Sequence, residues 1–108
     1  MGDKMNSCSI TGYLTENPRV SIVDDVVLAE FVMVTYSYRR TKSGEKSRIP
    51  TYIHCEAWHT GAETLEKYAT KGTKLVINAS AKNSNPDSDD IIFRINEFDF
   101  CHKDYKDS

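Results

Sequence analysis

The sequence predicts an all-β fold: a five-stranded Greek-key barrel carrying one short helix. Three observations predict it. Stretches of alternating apolar and polar residues recur along the chain, and a single stretch has helical spacing instead. That stretch comes after three strands and before two, the element order of an OB barrel with its helix between strands 3 and 4. At 108 residues the chain holds one domain. It is expected over residues 1–101, with 102–108 a short polar C-terminal end.

The first strand is read from Ser7 to Leu14, with Cys8, Ile10, Gly12 and Leu14 on one face and Ser7, Ser9, Thr11 and Tyr13 on the other. Asn17-Pro18 marks a bend, and Asp24-Asp25 suit a turn. The second strand, Val26 to Tyr38, has apolar residues on both faces at first: Leu28, Phe31, Val32, Met33 and Val34. Thr41 to Glu45 is a polar, glycine-bearing loop. The third strand follows Pro50 and runs from Thr51 to Trp58, with Ile53, Cys55 and Ala57 facing the interior.

Thr60-Gly61-Ala62-Glu63 matches a capping box at the start of the helix. Ala62, Leu65 and Ala69 form its apolar stripe, and Gly72 supplies a left-handed stop. Alternation resumes from Lys74 to Ala81. Asn83 to Asp90 is all turn-formers and acids, and Ile91 to Phe100 is the last strand.

Composition narrows the function. The fourteen Lys and Arg stand against sixteen Asp and Glu, for a net charge of -2. No apolar run approaches the ~20 residues of a membrane span, and the polar start lacks the apolar core of a secretory signal. Cys8, Cys55 and Cys101 are odd in number and too widely spaced for a CxxC motif, so all three are read as buried reduced thiols in an intracellular protein. No metal site or cofactor is expected. No phosphate loop, HExxH or GxSxG motif is present, and His54, His59 and His102 sit at no catalytic or metal-binding spacing. An enzyme is not expected.

The small net charge hides an uneven distribution. Residues 39–48 contain five cations (Arg39, Arg40, Lys42, Lys46, Arg48) and one acid, whereas residues 84–108 contain seven acids and three cations. Aromatic residues flank the basic run. Tyr36 and Tyr38 precede it, and Tyr52, His54, Glu56 and Trp58 follow on the outward face of the next strand. Exposed aromatics beside cations suit single-stranded nucleic acid, with bases stacking on rings and phosphates meeting cations. They equally suit a subunit interface, where Tyr and Trp are enriched.

From Met5 to Cys101 the chain resembles the DNA-binding domain of bacterial and phage single-stranded DNA-binding proteins. The resemblance is carried by Asn6, Gly12, Leu14 and Pro18, and by the second-strand run Leu28-Ala29-Glu30-Phe31-Val32-Met33-Val34-Thr35. The third strand into the helix also carries it: Tyr52 to Trp58, then Ala62-Glu63, Tyr68 and Lys71-Gly72. Phe98-Asp99-Phe100 closes the pattern. The resemblance implies an OB fold that binds single-stranded DNA with little sequence preference during replication, recombination or repair. It also implies a homo-oligomer, a tetramer more often than a dimer, in the cytoplasm of a cell or encoded by a phage.

By position, Tyr52 stands where the family commonly has a stacking tryptophan, and Trp58 where it has another aromatic. Tyr38 or Tyr36 would be the aromatic near the end of the second strand. Arg39, Arg40, Lys42, Lys46 and Arg48 would contact phosphates, with Lys82 and Arg94 as weaker contacts. Two departures stand out. The Asn83–Asp90 hairpin is short and lacks an aromatic, and no linker with an acidic tip follows, so recruitment of replication enzymes through such a tail is not expected. A tail-less relative such as the primosomal accessory proteins, or an OB module that binds protein, is the alternative.

Overall fold

The computed structural model describes residues 5–101; the expected polar end at 102–108, with His102, lies outside the described residues. Six strands and one helix follow one another: β1 Cys8–Leu14, β2 Arg19–Val23, β3 Val26–Arg40, β4 Lys46–Trp58, α1 His59–Tyr68, β5 Lys74–Asn83 and β6 Ile91–Phe100. The sheet order is β1-β5-β6-β4-β3-β2, and a further pairing of β1 with β3 closes five strands into a barrel. All pairings are antiparallel except β4 with β6, which meet in parallel at Cys55–Phe93 and Glu56–Arg94. The expected barrel is present, with its helix between β4 and β5 because one more strand precedes it.

That extra strand is β2. It continues the path of β1 along the same edge of β3: Leu14 pairs with Met33, Thr15 donates its backbone N–H to the Val32 carbonyl, and Arg19 pairs with Glu30. Asn17-Pro18 therefore interrupts one long strand rather than ending it. The Asp24-Asp25 turn joins β2 to β3, and both aspartates have positive φ (51° and 65°). Such angles at both central residues are those of the two-residue turn that matches the twist of a hairpin.

The core is the inward row of each strand. Leu14, Ala29, Phe31, Met33, Ile53, Cys55, Ala57, Leu75, Ile77 and Ala79 are all buried, and Ala62, Leu65 and Ala69 bring the helix onto the same cluster. Phe93, Ile95, Phe98 and Phe100 of β6 pack against it. Gly12 sits where β1 crosses β3: a Cβ there would lie 2.5 Å from the Val34 carbonyl oxygen, so only glycine admits the crossing.

Three local expectations change. The capping box does not form. Trp58 is the N-cap, no side chain caps the helix, and the Thr60 carbonyl instead accepts the Thr64 hydroxyl inside it. The reason is His59, whose φ of 60° turns β4 directly into the helix. Gly72 is left-handed (φ 90°), but it lies in the turn beyond Tyr68 and Ala69, where the helix has already ended. Of the three thiols only Cys55 is buried; Cys8 and Cys101 are half-exposed.

Candidate nucleic-acid interface

Paired residues of adjacent strands point to the same side of a sheet, so the β3–β4 register decides which side chains can act together. It is unbroken from Leu28–Trp58 to Arg40–Lys46. Since Ala29, Phe31 and Met33 face the core with Ala57, Cys55 and Ile53, the alternate residues face out. One outward face therefore collects Tyr36, Tyr38 and Arg40 from β3 with Lys46, Arg48, Tyr52, His54 and Trp58 from β4. Arg39 falls on the other face, opposite Ser47.

The basic run is not the loop expected from the sequence. β3 and β4 continue past the barrel as a two-stranded ribbon, and only residues 41–45 form its tip. The Thr41 N–H donates to the Glu45 carbonyl, the Gly44 N–H to the Thr41 carbonyl, and Arg40 Nη1 to the Gly44 carbonyl at 3.1 Å. Pro50, expected to precede a strand, lies within β4 opposite Tyr36. It is tolerated because β4 there has a partner on one edge only. The ribbon gives its cations fixed places beside the rings. The Arg48 guanidinium carbon is 4.1 Å from the Tyr36 ring centre, and Lys46 Nζ is 5.3 Å from that of Tyr38. Lys42 is exposed in the tip.

Two rings stand open. Tyr38 and Tyr52 are each 62% exposed. Trp58 is half-buried, and its indole N–H donates to Glu56 Oε2 at 2.9 Å. The same oxygen receives Lys82 Nζ at 3.0 Å. Glu56, expected in the open row, is in fact only 7% exposed. Lys82 and Arg94 arrive from β5 and β6 and, with Trp58, His59 and the β2–β3 turn, line a cleft at the barrel end of the row.

One pair escaped the sequence reading. Tyr13 of β1 pairs with Val34, which pairs with Tyr52, so Tyr13 extends the aromatic face across a third strand. Lys74 Nζ lies 5.6 Å from its ring centre. Alternation already placed Tyr13 on the face of β1 opposite Cys8, Ile10, Gly12 and Leu14; the β1–β3 closure that sets it across Val34 from Tyr52 has no signal in local sequence.

The family model for the single-strand binding protein family matches residues 5–91. The chain belongs to that family. Among solved structures it is similar to the wild-type single-stranded DNA binding protein from Thermus aquaticus, with a TM-score of 0.75 at 16% identity over 90% of this chain. A deletion variant of the same Thermus aquaticus protein matches with the same values. At that identity the likeness bears on the fold, and the chain spans about half the length of these structures (50%). No curated protein matches the sequence. Among the described residues no helix is long and apolar enough to cross a membrane.

Proposed function

We propose that this chain binds single-stranded DNA with little sequence preference, in a binding rather than catalytic role. Bases stack on Tyr52, Tyr38 and Trp58, and phosphates meet Arg40, Lys42, Lys46 and Arg48. One observation carries the reading: a single register puts the open rings and these strand cations on one face. Stacking contributes about 1–3 kcal/mol per base and tolerates any base, because every base has a π-face. Cations placed along the ribbon supply the phosphate contacts that stacking cannot. His54 lies in the same row and adds a polar contact. Arg94 extends the path past Trp58, where Lys82 stands paired with Glu56, and Tyr13 widens it.

Family membership supports the wider proposal that the protein acts on single strands exposed in replication, recombination or repair, as a homo-oligomer with a tetramer favoured. Residues 1–101 are the binding domain in this reading. Trp58 is the only tryptophan, so its fluorescence reports on the site directly. Titration with oligo(dT) at low salt is expected to quench it, and binding is expected to weaken with salt. Unchanged emission together with no mobility shift on single strands would overturn the reading. A tetramer is expected in light scattering.

A further inference from the structure

We propose that Glu56 is a positioning residue for this platform: it holds the Trp58 indole in one orientation and keeps the Lys82 ammonium away from the phosphates. The inference rests on the single-stranded DNA reading above.

Glu56 is the one buried charged side chain among the described residues. It sits on the outer wall of the barrel, where an apolar side chain would seal the surface without the cost of desolvating a charge. Across its row it meets Glu30 on β3, a like charge, and Arg94 on β6. Its side-chain hydrogen bonds go to neither. Its Oε2 accepts the Trp58 Nε1–H at 2.9 Å and pairs with Lys82 Nζ at 3.0 Å. Trp58 ends β4 and caps α1, so its backbone is already fixed. The bond to Glu56, two residues earlier on the same face, then fixes the ring. A ring held in place before a base arrives loses less freedom on binding. The ion pair has the opposite effect on charge: Lys82 is already neutralised, so it releases fewer counterions from a bound strand than a free lysine would.

The test uses the full chain with Glu56→Gln, Glu56→Leu, Lys82→Gln and the Glu56→Gln/Lys82→Gln double variant. Near-ultraviolet circular dichroism reads the single indole, and oligo(dT) titrations across a salt series read binding. Glutamine keeps an acceptor for the indole but drops the charge. Glu56→Gln is therefore expected to retain the indole band and to steepen the log–log salt slope by up to about 0.7, the value for one phosphate contact on a single strand. The double variant is expected to return to the slope of Lys82→Gln. Glu56→Leu is expected to lose the indole band and to bind at least about threefold more weakly at high salt, where stacking dominates. Wild-type binding and an unchanged band in Glu56→Leu would overturn the orienting role, and an unchanged slope in Glu56→Gln would overturn the role on Lys82. If Glu56→Leu does not fold, Glu56→Ala takes its place: an unchanged indole band there, with the fold intact, overturns the orienting role. Failure of the wild-type chain to bind oligo(dT) overturns the underlying reading instead, and the indole bands still show whether Glu56 holds the ring.

Discussion

The Arg48 guanidinium carbon lies 4.1 Å from the centre of the Tyr36 ring. That contact covers one face of a half-buried ring with a cation, so Tyr36 is less available to a base than Tyr38 or Tyr52, which are open. Tyr52→Ala is expected to weaken oligo(dT) binding by about 1–3 kcal/mol with the salt slope nearly intact. Tyr36→Ala is expected to cost under about 1 kcal/mol, mostly by releasing Arg48 from its place. Fluorescence titrations of both variants check the order, and equal losses would refute the distinction.

Arg39 and Arg40 are neighbours in sequence and opposites in space. The register sets Arg40 beside Lys46 on the aromatic face and Arg39 beside Ser47 on the other. Arg40→Ala is expected to flatten the salt slope by up to about 0.7, one phosphate's worth on a single strand, and Lys46→Ala to do the same. Arg39→Ala is expected to change it by less than half as much. Competitive titrations from low to high salt separate the two arginines.

Gly12→Ala is expected to destabilise the barrel by about 1–3 kcal/mol, the usual range for forcing extra volume into a packed site. The obstruction is backbone, the Val34 carbonyl, and cannot swing aside like a side chain. Urea unfolding followed by Trp58 emission measures the loss.

Asp25→Gly is expected to have the opposite sign. Asp25 holds φ at 65°, a left-handed conformation that costs an L-residue with a Cβ more than glycine. The substitution also removes one of two adjacent like charges at a hairpin turn. A gain of about 0.5–1 kcal/mol is expected in the same urea assay.

Cys55 gives the fold a predictable response to alkali. Burial raises its thiol from 9.0 to about 12, since the thiolate is not solvated inside the barrel. The unfolded chain loses this proton above pH 9 while the folded chain keeps it, so the unfolded state binds fewer protons there. Stability is complete below pH 9 and falls between pH 9 and about 12, by up to about 1.4 kcal/mol for each pH unit. Cys55→Ala, less stable at neutral pH because of the cavity it leaves, is expected to show a shallower decline over that window. At pH 8 a thiol reagent is expected to label Cys8 and Cys101 and to spare Cys55 until the chain unfolds.

Much of this was legible in the order of residues because alternation is a local property. The inward row Ile53, Cys55, Ala57 and the outward row containing Tyr52, His54 and Trp58 follow from a period of two, and the Ala62, Leu65, Ala69 stripe from a period of 3.6. β2 escaped because it is short, lies on one edge of the sheet and is mostly exposed, so no face of it is marked by burial. The capping box was present in letters and absent in space, because the helix start is set by how His59 turns away from β4. What the sequence by itself determined is an OB barrel with aromatic and basic residues on adjoining strands. Tertiary structure decided that β3 runs on through Arg40, so that this arginine keeps to the face of the rings, that Tyr13 joins them, and that Glu56 holds both Trp58 and Lys82. Those relations depend on register and on closure between distant segments, 26 residues apart for Lys82 and Glu56, and local patterning carries no record of either.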